Sequence, residues 1–143
     1  MFPFTALIYG TLAAGAAFLL ESIFLTGLSL GLIVFTVGAL IEESMKLLFL
    51  FQYRKRFLSS GSSSVSLQLL LFTLFGIGFA LVEVFLALPP DTSTLLALAG
   101  IHMLTSLLLG YALLVPSPIS LPAGLMLAVG VHTAYNLLTA SLQ

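Results

Sequence analysis

Residues 66–88, SLQLLLFTLFGIGFALVEVFLAL, carry one ionisable group, Glu83, in a run otherwise made of aliphatic, aromatic, small and uncharged polar residues. A helix crossing the hydrocarbon core of a bilayer needs about 20 predominantly apolar residues, and this stretch supplies them. It lacks the apolar/polar alternation of a barrel strand, so it reads as a transmembrane helix, with its backbone groups satisfied internally. Working outward, comparable runs fall near 4–24, 28–52, 94–115 and 122–140. The separators are Gly27, YRKRFLSSGSSS (53–64), LPPDTS (88–93) and VPSPISLP (115–122), each with the Gly, Ser or Pro that ends helices. The expectation is an all-α, polytopic transmembrane bundle of about five spans. It forms a single domain over 1–143, with four spans carrying polar motifs in a core at about 28–141.

Composition agrees. Hydrophobic residues make up 60% of the 143 and charged residues 6%, with a mean hydropathy of +1.24, which is far too apolar for a soluble domain of this length. The net charge of −1 offers no cationic footprint for nucleic acid, so that class of partner is excluded and the lipid bilayer is the expected surrounding. The absence of cysteine removes disulfides, thiolate metal sites and a cysteine nucleophile. The beginning, MFPFTALIYG, lacks a basic leader region and reads as a retained helix. Three of the four basic residues, Arg54, Lys55 and Arg56, sit in one connection. The positive-inside rule therefore puts the N-terminus and residues 53–65 in the cytoplasm of what is expected to be a prokaryotic cell membrane. LSSGSSSVS (58–66) has the composition of a flexible linker, and Asp91 reads as a turn residue.

The remaining ionisable residues are Glu21, Glu42, Glu43, Lys46, Glu83, His102 and His132, all inside expected spans. A carboxylate at the centre of a span costs roughly 2.5–3.5 kcal/mol on the insertion scale, so Glu42, Glu43 and Glu83 require compensation by one another, by water or by a ligand. At 1.5 Å per residue, Glu42, His102 and His132 lie roughly 15–20 Å from the cytoplasmic end and Glu83 roughly 22–27 Å. Four helices can thus aim side chains at one cavity. Residues i and i+4 share a helix face, which relates Glu42 to Lys46, His102 to Ser106 and His132 to Asn136. Gly76 and Ala80 form a small-residue ridge that lets another helix come close and helps bring Glu83 to its partners. Blander readings compete. Lys46 suffices to neutralise Glu42 or Glu43, Ser106 and Asn136 to hold helices together, and Phe79 and Tyr135 to pack. Glu21, close to the end of the first span, reads as an interfacial, snorkelling residue outside the site.

The motifs EESMK (42–46), GFALVE (78–83), HMLTSLLLGYAL (102–113) and HTAYN (132–136) resemble, in order, the EExxK, FAxxE and two histidine motifs of the PrsW family of intramembrane proteases. That family is related to the CAAX prenyl endopeptidases and the bacteriocin-processing membrane proteins. The resemblance implies hydrolysis of a peptide bond in or beside the membrane, with Glu42 as the base that activates water. Glu43, Glu83, His102 and His132 complete the catalytic set, with Lys46, Asn136 and Ser106 in support. Asn136 fits the HxxxN pattern of the wider superfamily, where such a pair is thought to stabilise the oxyanion. Glu83 stands where the prenyl-processing branch has histidine, and Lys46 where that branch has arginine one residue later, so CAAX processing is the less favoured substrate class. The implied substrate is a single-pass membrane protein, an anti-sigma factor if the host is bacterial.

The residues themselves admit two versions of the chemistry. One is free of metal and is favoured, there being no HExxH. The other places zinc on Glu83, His102 and His132, with Glu42 as base on the bound water. A proton-coupled transporter and a non-catalytic membrane scaffold are the rival classes, and self-association is left open.

Overall fold

The computed structural model of the chain describes residues 2–27, 31–58, 64–87 and 92–141. Five long helices account for nearly all of them: α1 (Phe2–Phe24), α2 (Leu32–Tyr53), α3 (Val65–Ala87), α4 (Thr92–Leu114) and α5 (Ser120–Ser141). No strand occurs among the described residues. The expected all-α bundle of five spans is the observed architecture, and α1, α3, α4 and α5 are each long and apolar enough to cross a membrane. α2 is as long, at 22 residues, but carries Glu42, Glu43 and Lys46, and it buries all three inside the bundle.

Helix ends follow local chemistry. α1 stops at Phe24, and Gly27 takes a φ of 84°, a left-handed turn that a side chain would strain. The expected start of the second span, residue 28, lies outside the described residues, as do Asp91 and most of the serine-rich linker. At its far end α2 continues past the expected boundary as a wider π-type turn over Arg54–Leu58. There Arg54 donates to the Leu113 carbonyl oxygen at 2.8 Å, which ties the end of α2 to the end of α4. α5 begins two residues earlier than expected. Pro122 sits within its first turn, where a missing N–H leaves no bond unmade, and the Ser120 hydroxyl donates to the Ser117 carbonyl oxygen at 2.7 Å.

α2 is the central helix, packed against α1, α4 and α5, while α3 lies between α1 and α4. Between helices in lipid there is no hydrophobic drive, so close approach of small residues supplies much of the packing. On α1, Ala6, Ala13, Ala14 and Ala17 are all buried. Gly10 and Gly78 let α1 and α3 meet backbone to backbone, since a Cβ on either would run into the carbonyl of Phe75 or Leu7. Gly76 does the same between α3 and α4, and a side chain there would strike the His102 carbonyl. The ridge expected at Gly76 therefore sets the approach that brings Glu83, two turns on, alongside His102. Large apolar side chains point outward all round the bundle, among them Phe4, Ile23, Ile33, Phe85, Leu96 and Met126. That surface is incompatible with water and fits a multi-pass membrane protein.

Candidate functional site

The polar centre is built on α2. Lys46 lies one turn after Glu43 and donates to its Oε1 at 2.6 Å, both side chains being 0% exposed. The same Nζ bonds Nδ1 of His102 at 2.7 Å and Oγ1 of Thr105 at 3.0 Å, both on α4. It also lies 4.4 Å from the centroid of the Phe79 ring, close enough for a cation–π contact. With three donors and three acceptors, the Lys46 ammonium is saturated.

That saturation assigns the neighbouring tautomers. His102 Nδ1 accepts from Lys46, so the ring proton belongs on Nε2, which is in hydrogen-bond contact with Glu83 Oε2 of α3. Glu43 Oε1, already accepting from Lys46, takes a second bond from His132 Nδ1 of α5 at 2.7 Å. An ionised carboxylate cannot donate, so Nδ1 of His132 carries a proton, and in the neutral ring Nε2 is then a bare acceptor. This Nε2 faces Glu42 Oε2 at 3.8 Å, too far for a direct hydrogen bond. Glu42 is 7% exposed, and its Oε2 has no hydrogen-bond partner.

The structure thus brings Glu42, Glu43, Lys46, Glu83, His102 and His132 together from four helices. It corrects the pairings expected from spacing. Lys46 turns to Glu43 at i−3 rather than to Glu42 at i−4, because that direction also meets His102 and Thr105. Ser106 does not serve His102; its hydroxyl is buried with no hydrogen-bond partner, the ring being held by Lys46 and Glu83 instead. Asn136 does not bond the His132 ring, which is held by Glu43. It lines a cavity instead.

That cavity, of about 390 Å³, has Glu42 and Phe79 at its base. Its walls come from the C-terminal parts of α1, α3 and α5 and the N-terminal part of α4, so it lies toward the end of the bundle opposite Arg54. Glu83, Tyr135 and Asn136 line it, and so does Glu21. Glu21, half-buried near the end of α1, thus reaches the same cavity as Glu42 and Glu83, which the interfacial reading did not anticipate. The signal was present: Ala14, Ala17 and Glu21 recur at helical spacing, and a stripe of small residues marks the face of α1 turned to its neighbours. Thr105 was also missed, one turn from His102 on the same face.

The zinc set expected from sequence does not fit these donors. With Nδ1 of His102 accepting from Lys46 and Nε2 donating to Glu83, that ring has no lone pair to give a metal. A tighter group is Glu42, His102 and His132, whose ligand atoms lie within 4.8 Å of one another, but it includes the same committed ring and the Lys46 ammonium beside it. The cationic position in this cluster is occupied by lysine.

Comparison with protein families, with curated proteins and with solved structures finds no match. The functional reading rests on the residues.

Proposed function

We propose that the chain is an intramembrane endopeptidase that hydrolyses a peptide bond in or near a transmembrane segment of a membrane protein, with water activated by Glu42. The observation carrying this reading is that Glu42, which lines the cavity, holds its Oε2 3.8 Å from Nε2 of His132, two proton acceptors when the ring is neutral. A water donating one hydrogen to each leaves an oxygen lone pair directed at a bound carbonyl. Its oxygen adds to the carbonyl carbon, its proton passes to Glu42, and the carbonyl oxygen becomes an oxyanion within reach of a donor such as the Asn136 amide. Return of the proton from Glu42 to the amide nitrogen lets the C–N bond break and frees the amine. Glu43 and Lys46 act as positioning residues, fixing the His132 ring with Nε2 bare, while Lys46 and Glu83 hold the His102 ring. No step requires a metal.

The apolar outer surface and the inward-facing site favour a substrate presented from the bilayer, and the resemblance of the four motifs to the PrsW family points the same way. Transmembrane-segment peptides incubated with the purified chain in detergent micelles, with products read by mass spectrometry, test the reading. Wild type should release products, and Glu42→Gln should slow their release by at least about 100-fold. Equal product from folded wild type and variant, or none from either, would sink it.

A further inference from the structure

Three carboxylates from three helices, Glu21, Glu42 and Glu83, line the cavity, and no Lys, Arg or His lines it among the described residues. Lys46, the one cation on the inner faces, is fully buried behind them and spent on Glu43, His102 and Thr105. Glu42, more than nine-tenths buried, lines the cavity in side-chain contact with Glu21, and its Oε2 has no hydrogen-bond partner. Glu21 gets there because Gly38 lies opposite it on α2, one turn before Glu42. A Cβ on Gly38 would come within 3.3 Å of Glu21 Oε1. The rest of the wall is mainly apolar, from Ala17, Phe18, Val82, Leu86 and Leu98.

An apolar sleeve ending in carboxylates, set toward one end of a membrane bundle, matches a long side chain with an aliphatic stem and a cationic tip. Lysine and arginine at the ends of transmembrane segments have this form and snorkel toward the interface in the same way. Resting on the peptidase reading, we propose that the cavity is a specificity subsite for a basic side chain of the substrate, near the scissile bond, with Glu21 as its principal carboxylate. Burial strengthens the charge-assisted hydrogen bonds made there. Glu21 would thus select the substrate while Glu42 acts on the peptide bond.

The chain contains no tryptophan, so a peptide with a single Trp reports its own binding without background. The probes are two transmembrane peptides, identical except for Lys or norleucine beside the central segment, titrated in micelles and followed by Trp fluorescence. Wild type is compared with His132→Gln, in which turnover is silenced and the cavity carboxylates are kept, and each is compared with its Glu21→Gln version. The Lys peptide should bind about tenfold or more tightly than the norleucine peptide, and Glu21→Gln should remove most of that ratio. If Glu21→Gln does not fold, Gly38→Ala, which crowds the same carboxylate without changing charge, should lower the ratio. Equal binding of the two peptides, or a ratio unchanged by the variants, overturns the subsite. So does a Glu21-dependent rise in thermal stability with Zn²⁺ or Ca²⁺ that abolishes the lysine preference, since the cation would then be a metal. A Glu21-dependent preference without cleavage of any peptide leaves the subsite standing and removes the peptidase; cleavage indifferent to lysine does the reverse.

Discussion

Lys46→Met is the perturbation whose cost follows most directly from the geometry. The ammonium is 0% exposed and holds one charged acceptor, Glu43 Oε1 at 2.6 Å, and two neutral ones, His102 Nδ1 at 2.7 Å and Thr105 Oγ1 at 3.0 Å. Methionine fills similar space and packs against Phe79, so the loss is electrostatic rather than a cavity. Removing one partner of a buried ion pair leaves an uncompensated charge, at about 3–5 kcal/mol. The two neutral acceptors add about 1 kcal/mol each, and the bond that His132 still donates to Glu43 offsets part of the total. A destabilisation of about 4–5 kcal/mol is expected, a large share of a typical domain's roughly 5–15 kcal/mol. Glu43→Gln/Lys46→Met removes both charges and should recover at least about 2 kcal/mol relative to Lys46→Met alone. The assay is reversible unfolding in mixed micelles, followed by circular dichroism. A Lys46→Met protein within about 1 kcal/mol of wild type, or a double variant no more stable than the single one, would refute the saturated-ammonium network and the tautomers deduced from it.

Other outcomes follow from the same contacts. Glu42→Gln should leave stability unchanged or raise it by up to about 1 kcal/mol in the same unfolding assay, because Glu42 Oε2 is buried without a hydrogen bond. Paired with lost hydrolysis, that result separates a chemical residue from a structural one. Peptide hydrolysis should survive dialysis against strong chelators, since the His102 ring has no free nitrogen for a metal; activity lost on chelation and restored by zinc would contradict the assignment. Gly76→Val should push α3 from α4 and cost about 2 kcal/mol or more in unfolding, because the new side chain would meet the His102 carbonyl. Thr133→Val should be neutral or stabilising by up to about 1 kcal/mol, its hydroxyl being buried without a hydrogen-bond partner.

Hydropathy exposes the helices of this fold because a membrane span must be long and continuous, and four of the five are recognisable by that criterion alone. α2 is different. Its average hydropathy is that of a span, and what sets it apart is its three charges, which are tolerable in lipid only as a site buried against neighbours. Depth counting gathered Glu42, His102 and His132 at one level because rise per residue is nearly constant. It left Glu83 apart because depth does not register how closely Gly76 lets α3 approach α4. The place of Glu21 at the cavity is hidden for a related reason: nearness to a helix end is visible in sequence, but the direction of a helix face depends on which neighbours it meets.

The choice between i−3 and i−4 partners for Lys46 shows most clearly what spacing cannot decide. On an isolated helix Glu42 and Glu43 are both within reach of Lys46, and the two pairings have similar small energies of a few tenths of a kcal/mol. In the bundle the choice is made by α4 and α5. His102 and Thr105 offer two further acceptors on the side of Glu43, and His132 donates to Glu43 from the opposite side. Every one of these bonds favours the same arrangement, in which Oε1 of Glu43 takes two bonds, while Oε2 of each glutamate is buried without a hydrogen-bond partner. Adjacent glutamates of identical intrinsic chemistry thereby acquire different partners, Glu43 the Lys46 ammonium and the His132 ring, Glu42 a place at the cavity. The second ties α2 to α5 directly and to α4 through Lys46, and the first lines the cavity with its Oε2 facing Nε2 of His132. Exchanging their surroundings would require moving α4 and α5, so Glu43→Gln should impair both stability and hydrolysis, whereas Glu42→Gln should impair hydrolysis alone.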